Sequence, residues 1–278
     1  MKQLVITADD FGLAEEVNEA VEAASSDGIL TAASLMVAGP AAAHAVACAR
    51  RLRRLRVGLH VVLVDGRSVL PPERLPDLVD RAGRFRKGMV ELAFETIARP
   101  AVRRQLAAEI EAQFAAFQAT RLPLDHVSAH KHFHLHPSIA SAIIAIGARY
   151  GLAALRVPTE PRSVLAAVEP QTRPGTVWMT APWANLLARA ARRSGLRTAD
   201  ALFGLAWTGG MTAPRLAGLL HHLPAGRTEI YLHPATRDEF PGHARGYRYR
   251  EELAALTAPS VIEAVRRDDL KLGGYADF

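Results

Sequence analysis

Apolar positions along the chain fall into two alternating patterns. Short apolar runs bounded by turn residues read as buried strands, and apolar residues three and four apart read as helices. The first run, "QLVITADD" (3–10), ends in two acids. "AEEVNEAVEAA" (14–24) has helical spacing at Val17, Ala20, Val21 and Ala24, and "SSDG" stops it. "LTAASLMVAG" (30–39) reads as a strand, "AAHAVACARRL" (42–52) as a helix and "LRVGLHVVLV" (55–64) as a third strand. A β-α-β-α-β order argues for an α/β fold, a parallel sheet with helices outside it.

A stretch rich in Pro, Gly and charge follows at 65–88 and reads as a long loop, the kind that is often functional in compact domains. "PAVRRQLAAEIEAQFAAFQA" (100–119) is an amphipathic helix opening on Pro100. "PLDHVSAH" (123–130) reads as a fourth strand. "PSIASAIIAIGARYG" (137–151) reads as a helix with Pro at its start and Gly151 at its end. "AALRVP" (153–158) reads as a fifth strand and "TEIYLHP" (228–234) as another. A final helix is expected over "APSVIEAVRRDDL" (258–270). The region 160–224 is less regular. We find no repeat, low-complexity tract or linker, so residues 1–278 read as one domain.

Composition narrows the class. The 278 residues are 49% apolar, enough for a large core, and no apolar run is long enough to span a bilayer. The start, "MKQLVITADDFG", turns acidic too early for a signal peptide. One cysteine, Cys48, excludes an internal disulfide and a thiolate metal cluster, which suits a cytoplasmic protein. The net charge is +6, but all except four of the 34 basic residues are Arg, spread along the chain. No basic tract interleaved with aromatics accompanies the charge, so nucleic acid is not expected as a partner.

The chemistry sits at the strand ends. The first strand ends in Asp9 and Asp10, the third in His60, the fourth in His130 and the last in His233, while the fifth carries Arg156. In a parallel barrel such ends converge on one mouth, where catalytic residues sit. "DHVSAHKHFHLHP" (125–137) holds five of the eleven histidines. His130, His132, His134 and His136 alternate and would line one face of an extended segment. Each feature alone has an ordinary reading: tandem acids cap helices, and a lone histidine packs or faces solvent. Together, two acids and several strand-end histidines favour a metal site. Histidine and carboxylate without cysteine suit Zn, Co, Ni, Mn or Fe. Two histidines and one aspartate leave positions open for water and substrate, as catalysis requires.

These residues resemble the YdjC-like carbohydrate deacetylase family. Its pattern of "TADDFG", "GLH", a histidine block and a late "HP" stands here at Thr7–Gly12, Gly58–His60, Ala129–His134 and His233–Pro234. The block reads "AH" where many members have "SH". The resemblance implies a distorted, TIM-like (β/α) barrel with one divalent ion, Zn²⁺ favoured by ligand type and Mg²⁺ as an alternative. By the family pattern Asp10, His60 and His130 would be ligands, Asp9 the general base and His233 the general acid. His132 and His134 are assigned to outer contacts or substrate, His126 and His136 to structure. Arg156 is left between holding a sugar hydroxyl, orienting Asp9 and a surface salt bridge.

Longer stretches, "LTAASLMV", "RVGLHVVLVDGRSVLP", "RPAVRRQLAAEI" and "DHVSAHKHFHLHP", resemble the hopanoid-biosynthesis branch of that family. That resemblance implies an N-acetylglucosaminyl lipid as substrate, with a chitooligosaccharide as the alternative. Trp178, Trp183 and Trp207 all lie in the less regular region. "VWMTAPWANLLARAARRSGLR" places Trp183, Leu186 and Leu187 on one helical face with arginines largely away from it. Residues 176–212 are therefore expected to form an apolar rim, with Trp183 and Trp207 toward substrate and a peripheral membrane contact. The same helix can also pack inward as an ordinary barrel helix. Three other readings stand beside these: the same centre cleaving an ester or phosphate, a non-catalytic histidine-rich metal binder, and a basic membrane-surface module.

Overall fold

The first apolar run folds as β1 (Lys2–Phe11), and the sheet is built around it. The computed structural model describes residues 1–172 and 177–278, with the side chains of 177–179 outside the described set. In chain order the elements after β1 are α1 (Glu15–Ser26), β2 (Ala32–Leu35), α2 (Ala42–Arg51), β3 (Arg56–Val61), α3 (Met89–Ala98), α4 (Pro100–Ala119), β4 (Val127–Ala129) and α5 (Pro137–Gly147). Then come α6 (Arg162–Val168), α7 (Val177–Arg193), β5 (Ala201–Phe203), α8 (Ala213–His221), β6 (Gly226–Leu232), α9 (Tyr249–Thr257), α10 (Pro259–Ala264) and β7 (Leu270–Leu272). The strands run in the order β4-β3-β2-β1-β6-β5, with β7 added beside β1, and every pairing between them is parallel. The result is a single-domain, TIM-like half-barrel.

Side-chain alternation divides the strands between two environments. Leu4, Ile6 and Ala8 of β1 join the main apolar core together with Val21 and Ala24 of α1. Val5, of the opposite parity, joins a small cluster with Ala32, Ala154, Ala199 and Tyr275 at the barrel bottom. The same inward parity carries Thr7 and Asp9, Ser34, Gly58 and His60, Ser128, Arg156, and Glu229 and Tyr231. The barrel interior above the small apolar plug is thus polar, and its polar groups lead toward the strand ends. Full burial of each outward Leu or Ile stabilises the wall by about 1.5–3 kcal/mol.

Several expectations are corrected. The fifth strand, 153–158, is instead an extended segment held by two isolated parallel bridges, Val127↔Leu155 and Ala154↔Arg197. Pro158 lacks the N–H that a longer ladder needs. The helix expected over 258–270 ends at Ala264. Beyond it the chain turns so that Leu270–Leu272 pairs with Lys2–Leu4, where β2 has not yet joined β1. The sequence reading did not mark α3 and α9. Within α3, Val90, Phe94 and Ile97 have helical spacing, but their face is exposed rather than buried. The region 160–224 holds α6, α7, β5 and α8.

Gly58 has a steric reason to be glycine. A Cβ there would lie 2.5 Å from Nε2 of the buried His126 ring. Gly58→Ala is expected to lower stability by about 1–3 kcal/mol through overpacking, read by urea unfolding. An unchanged midpoint would mean that the His126 ring moves aside freely.

Candidate active site

Adjacent residues of a regular strand point to opposite faces, so Asp9 and Asp10 should not serve one site. They do because β1 bulges against β2 between Ala8 and Phe11, and Asp10 takes a left-handed φ of 62°. Aspartate tolerates that conformation better than most residues. Asp9 keeps the inward parity of Thr7, and the bulge swings Asp10 toward the same mouth.

Asp10, His60 and His130 place one ligand atom each within 4.8 Å of one another, the grouping among the described residues with the geometry to hold a metal ion. Asp10 Oδ1 lies 3.4 Å from His60 Nε2 and 3.1 Å from His130 Nδ1. Burial alone would favour a neutral Asp10, but His130 and His60 outweigh it and hold the carboxyl well below the usual range. Burial pushes the His60 imidazole down. For His130 burial acts in the same sense, but the Asp10 carboxylate overcomes it and raises the pKa. A carboxylate and two imidazoles form a donor set that fits a divalent ion. Two buried polar atoms beside it, Asp9 Oδ1 and His233 Nδ1, have no hydrogen-bond partner.

The histidine block does not run as an extended segment with one face, as its alternation suggests. Residues His130–Leu135 form a 3₁₀ turn kinked at Lys131 and His132, whose φ values are 53° and 54°. The kink sends each side chain to a different place. His130 reaches Asp10. His132 Nε2 lies 3.1 Å from the Tyr231 hydroxyl. His134 is buried and donates from Nε2 to the Arg156 carbonyl at 3.0 Å. His136 sits on the cavity wall, and His126 is buried beneath the site between Asp125 and Ser34.

Arg156 is fully buried and bridges two carboxylates. Its Nη1 donates to Asp9 Oδ2 at 2.5 Å, and its Nε and Nη2 donate to Glu229 Oε1 at 3.1 and 2.7 Å. Thr7 and Tyr275 hydroxyls donate to Glu229 as well, at 2.7 and 2.5 Å. Burial disfavours both carboxylates, but the Arg156 charge dominates and lowers both pKa values, Asp9 strongly so. Of the readings open for Arg156, orienting Asp9 is the one its contacts match. His233 faces the site with its backbone N–H donated to the buried carboxylate of Glu252 at 2.5 Å.

Above these groups lies a cavity of about 1080 Å³. Asp9, Asp10, His60, His130, His132 and His233 line its floor, and Tyr231 and Tyr247 stand beside them. One wall is apolar, made by Met89, Val90, Ala93, Phe94 and Ile97 of α3. Trp183 also lines it, 47% exposed. Trp207 does not line this cavity. It is buried, donates from Nε1 to Thr172 Oγ1 at 3.1 Å and packs under Arg215. The α7 face divides too: Leu187 and Ala191 pack inward, while Trp183 and Leu186 point out. Residue 176 and the Trp178 side chain, parts of the expected rim, lie outside the described residues. The sequence reading missed Glu229, Tyr231, Ser34, Ser128 and α3. Polar residues two apart inside apolar strands, such as Glu229, Tyr231 and His233, are the signal that marks the first two.

The architecture defines the class: a TIM-like α/β barrel protein whose polar site lies at the C-terminal ends of parallel strands. The chain belongs to the YdjC-like protein family, whose model matches residues 3–267. A carbohydrate deacetylase of Geobacillus stearothermophilus is 30% identical over 99% of this chain and 97% of its own. One from Mus musculus is 33% identical over 99% of this chain and 94% of its own. A crystal structure from Enterococcus faecalis, provisionally named a cellobiose-phosphate cleavage protein, superposes with a TM-score of 0.76 at 24% identity. It covers 99% of this chain and 98% of its own, and it shares the fold.

The buried histidines give the protein an acid limit. Burial first, and the Arg156 charge second, push the His134 pKa down to about 3 from an ordinary 6.5. The unfolded chain therefore binds this proton before the folded one. The stability contribution is complete above about pH 6.5 and is lost as pH falls toward 3. By pH 4.5 the loss is roughly 3 kcal/mol from His134, and His132, lowered in the same sense, adds to it. Urea unfolding at pH 7 and pH 4.5 measures this, and His134→Gln is expected to recover about 2 kcal/mol of the difference. An equal pH dependence in both proteins would show that His134 takes up its proton while folded.

Proposed function

We propose that the protein is a carbohydrate deacetylase that hydrolyses the N-acetyl group of an amino sugar carried on a large apolar lipid of the hopanoid kind. The observation that carries the reaction is the free oxygen of Asp9: a buried carboxylate with Oδ2 held by Arg156 and Oδ1 unpartnered beside Asp10, His60 and His130. The full-length relatives named carbohydrate deacetylases support the same chemistry.

In this reading Asp10, His60 and His130 hold one divalent ion, Zn²⁺ by donor type with Mg²⁺ the alternative. When bound, that ion supplies a Lewis acid that polarises the acetyl carbonyl and acidifies water. Asp9 Oδ1 accepts a proton from the attacking water. Arg156 keeps Asp9 ionised and fixes its orientation, at the cost of a weaker base. His233, anchored through its backbone by Glu252, gives a proton to the departing amine, so the products are acetate and the free amino sugar. Tyr231 and His132 stand beside the two and border the space for the sugar ring.

The lipid is read from the wall. Val90, Phe94 and Ile97 of α3 are 71%, 70% and 66% exposed and line the same cavity as the catalytic groups. Soluble proteins seldom leave such a patch open unless something apolar occupies it. Together with Trp183 it forms an apolar lip, which extends the rim expected at 176–212 to a second element. A sugar at the floor and a polycyclic tail along α3 would use the full length of the cavity. The lip would touch the cytoplasmic face of a membrane peripherally. No described helix is long and apolar enough to cross one.

Protein loaded with Zn²⁺ is expected to release acetate from an N-acetylglucosaminyl lipid, and Asp9→Asn to lose at least about 100-fold in kcat with Zn²⁺ still bound. Acetate from diacetylchitobiose alone would keep the reaction and remove the lipid. No acetate from either substrate would point to another scissile bond. Phe94→Ser/Ile97→Ser is expected to raise KM for the lipid-linked sugar about tenfold or more, through lost apolar burial, and to leave diacetylchitobiose turnover unchanged. Equal effects on the two substrates would remove α3 from the lipid site.

A further inference from the structure

Beneath the site a second buried polar chain runs the length of the barrel interior. Asp125 accepts the backbone N–H groups of Tyr275 and Ala276 at 3.1 and 2.9 Å, in the 3₁₀ turn Tyr275–Asp277. His126 Nδ1 lies 2.9 Å from Asp125 Oδ2, the oxygen that also accepts the Tyr275 N–H. His126 Nε2 lies 3.0 Å from Ser34 Oγ, Ser34 Oγ lies 3.0 Å from Ser128 Oγ, and Ser128 Oγ lies 2.7 Å from His60 Nδ1. Every member is buried. The ring of His126 is pinned, with Tyr275 5.3 Å away between centroids and Gly58 against its Nε2 edge.

The direction of the chain follows from its anchor. A carboxylate only accepts, so His126 donates from Nδ1, and the tautomer with its proton there presents a lone pair at Nε2 to Ser34. Ser34 then spends its one proton on His126. Ser128 spends its own on Ser34, as the bond geometry has it. Ser128 can therefore only accept from His60, which must carry its proton on Nδ1. The lone pair of His60 is left on Nε2, which lies 3.4 Å from Asp10 Oδ1 in the metal-capable group, longer than an ordinary N–H···O bond, so the 2.7 Å contact of Nδ1 with Ser128 decides the tautomer. An imidazole free in water exchanges between two tautomers, and a ligand histidine is useful in one of them.

We propose that Ser128, Ser34 and His126 are positioning residues that hold His60 in the Nδ1–H tautomer, from an anchor in the turn at Tyr275. The role belongs to the chain's own residues and does not depend on which substrate the site takes. His126, which the sequence assigns to structure, becomes part of the active centre through two serines. The relay is cooperative because each hydroxyl has one proton, so removing a member in the middle releases the members above it. Without Ser34, the Ser128 hydroxyl is free to turn and donate to His60 Nδ1, which moves the His60 proton to Nε2 and blocks the ligand lone pair.

The test reads the tautomer directly. Side-chain ¹⁵N spectra of metal-free protein, labelled at histidine, are expected to show His60 as Nδ1–H in the parent and as mainly Nε2–H in Ser34→Ala. Zn²⁺ affinity, measured by chelator competition, is expected to fall roughly tenfold or more in the variant, with the melting temperature close to that of the parent. Ser128→Ala, which removes the acceptor itself, is expected to mix the tautomers and weaken Zn²⁺ similarly, and Ser128→Thr to restore both. An unchanged His60 tautomer and Zn²⁺ affinity within twofold of the parent would overturn the proposal. If Ser34→Ala does not fold, the Ser128 pair decides by the same two readouts. Neither readout involves a substrate, so a failed deacetylase assay leaves this result standing, and the reverse.

Discussion

A guanidinium buried in the barrel interior holds the active centre together. Arg156 has no contact with water and divides its donors between Asp9 and Glu229. Two carboxylates in that setting would protonate or repel if left alone. Paired with one arginine, and with Thr7 and Tyr275 donating to Glu229, they remain ionised and fixed in place. The strongest constraint falls on Asp9, which gives one oxygen to Arg156 and keeps the other free. Losing the arginine alone would leave two uncompensated charges and cost several kcal/mol, as buried pairs do when one member is removed.

The half-barrel makes such an interior feasible. Outward residues of the strands build the apolar wall against the helices, and inward residues carry polar groups that only one another can satisfy. Two buried chains result. One runs from Asp9 through Arg156 and Glu229 to the Tyr275 hydroxyl. The other runs from His60 through Ser128, Ser34, His126 and Asp125 to the Tyr275 and Ala276 amides. Both end on the same turn at the barrel bottom, which is docked by β7 alongside β1 and by Arg56 on Asp277. Rigid support of this kind is what an active site needs to hold its geometry. The mouth is built differently, with an exposed apolar helix over a polar floor.

Local pattern carried the strands and their polar ends. Asp9, His60, His130 and His233 were legible because a charged or imidazole group closing an apolar run is costly unless it has a task or a partner. Within β1, β3 and β6 the residues that join the main core alternate as a regular strand requires. The same logic failed where the backbone departs from regular geometry. Nothing in "TADDFG" announces that β1 bulges and turns Asp10 into the mouth, and nothing in "HKHFHLH" announces the left-handed pair Lys131 and His132. Alternation assumes an extended chain, and both sites break it.

The remaining choices depended on contacts between residues far apart in the chain. Arg156 meets Asp9 across 147 positions, Asp125 meets Ala276 across 151, and Thr7 meets Glu229 across 222. No local window holds such pairs, so the sequence left Arg156 among three roles and His126 in the background. Exposure is likewise a property of the assembled surface: α3 has the apolar spacing of a packed helix, yet its face is open because it lies over the cavity rather than on the sheet. Residue type and spacing thus determined which chemistry the chain carries and at which strand ends it sits, because those follow from the local cost of burying polar groups. Folding decided which oxygen of Asp9 is free, where each histidine points and what covers the site, because those follow from partners that meet only when the barrel closes.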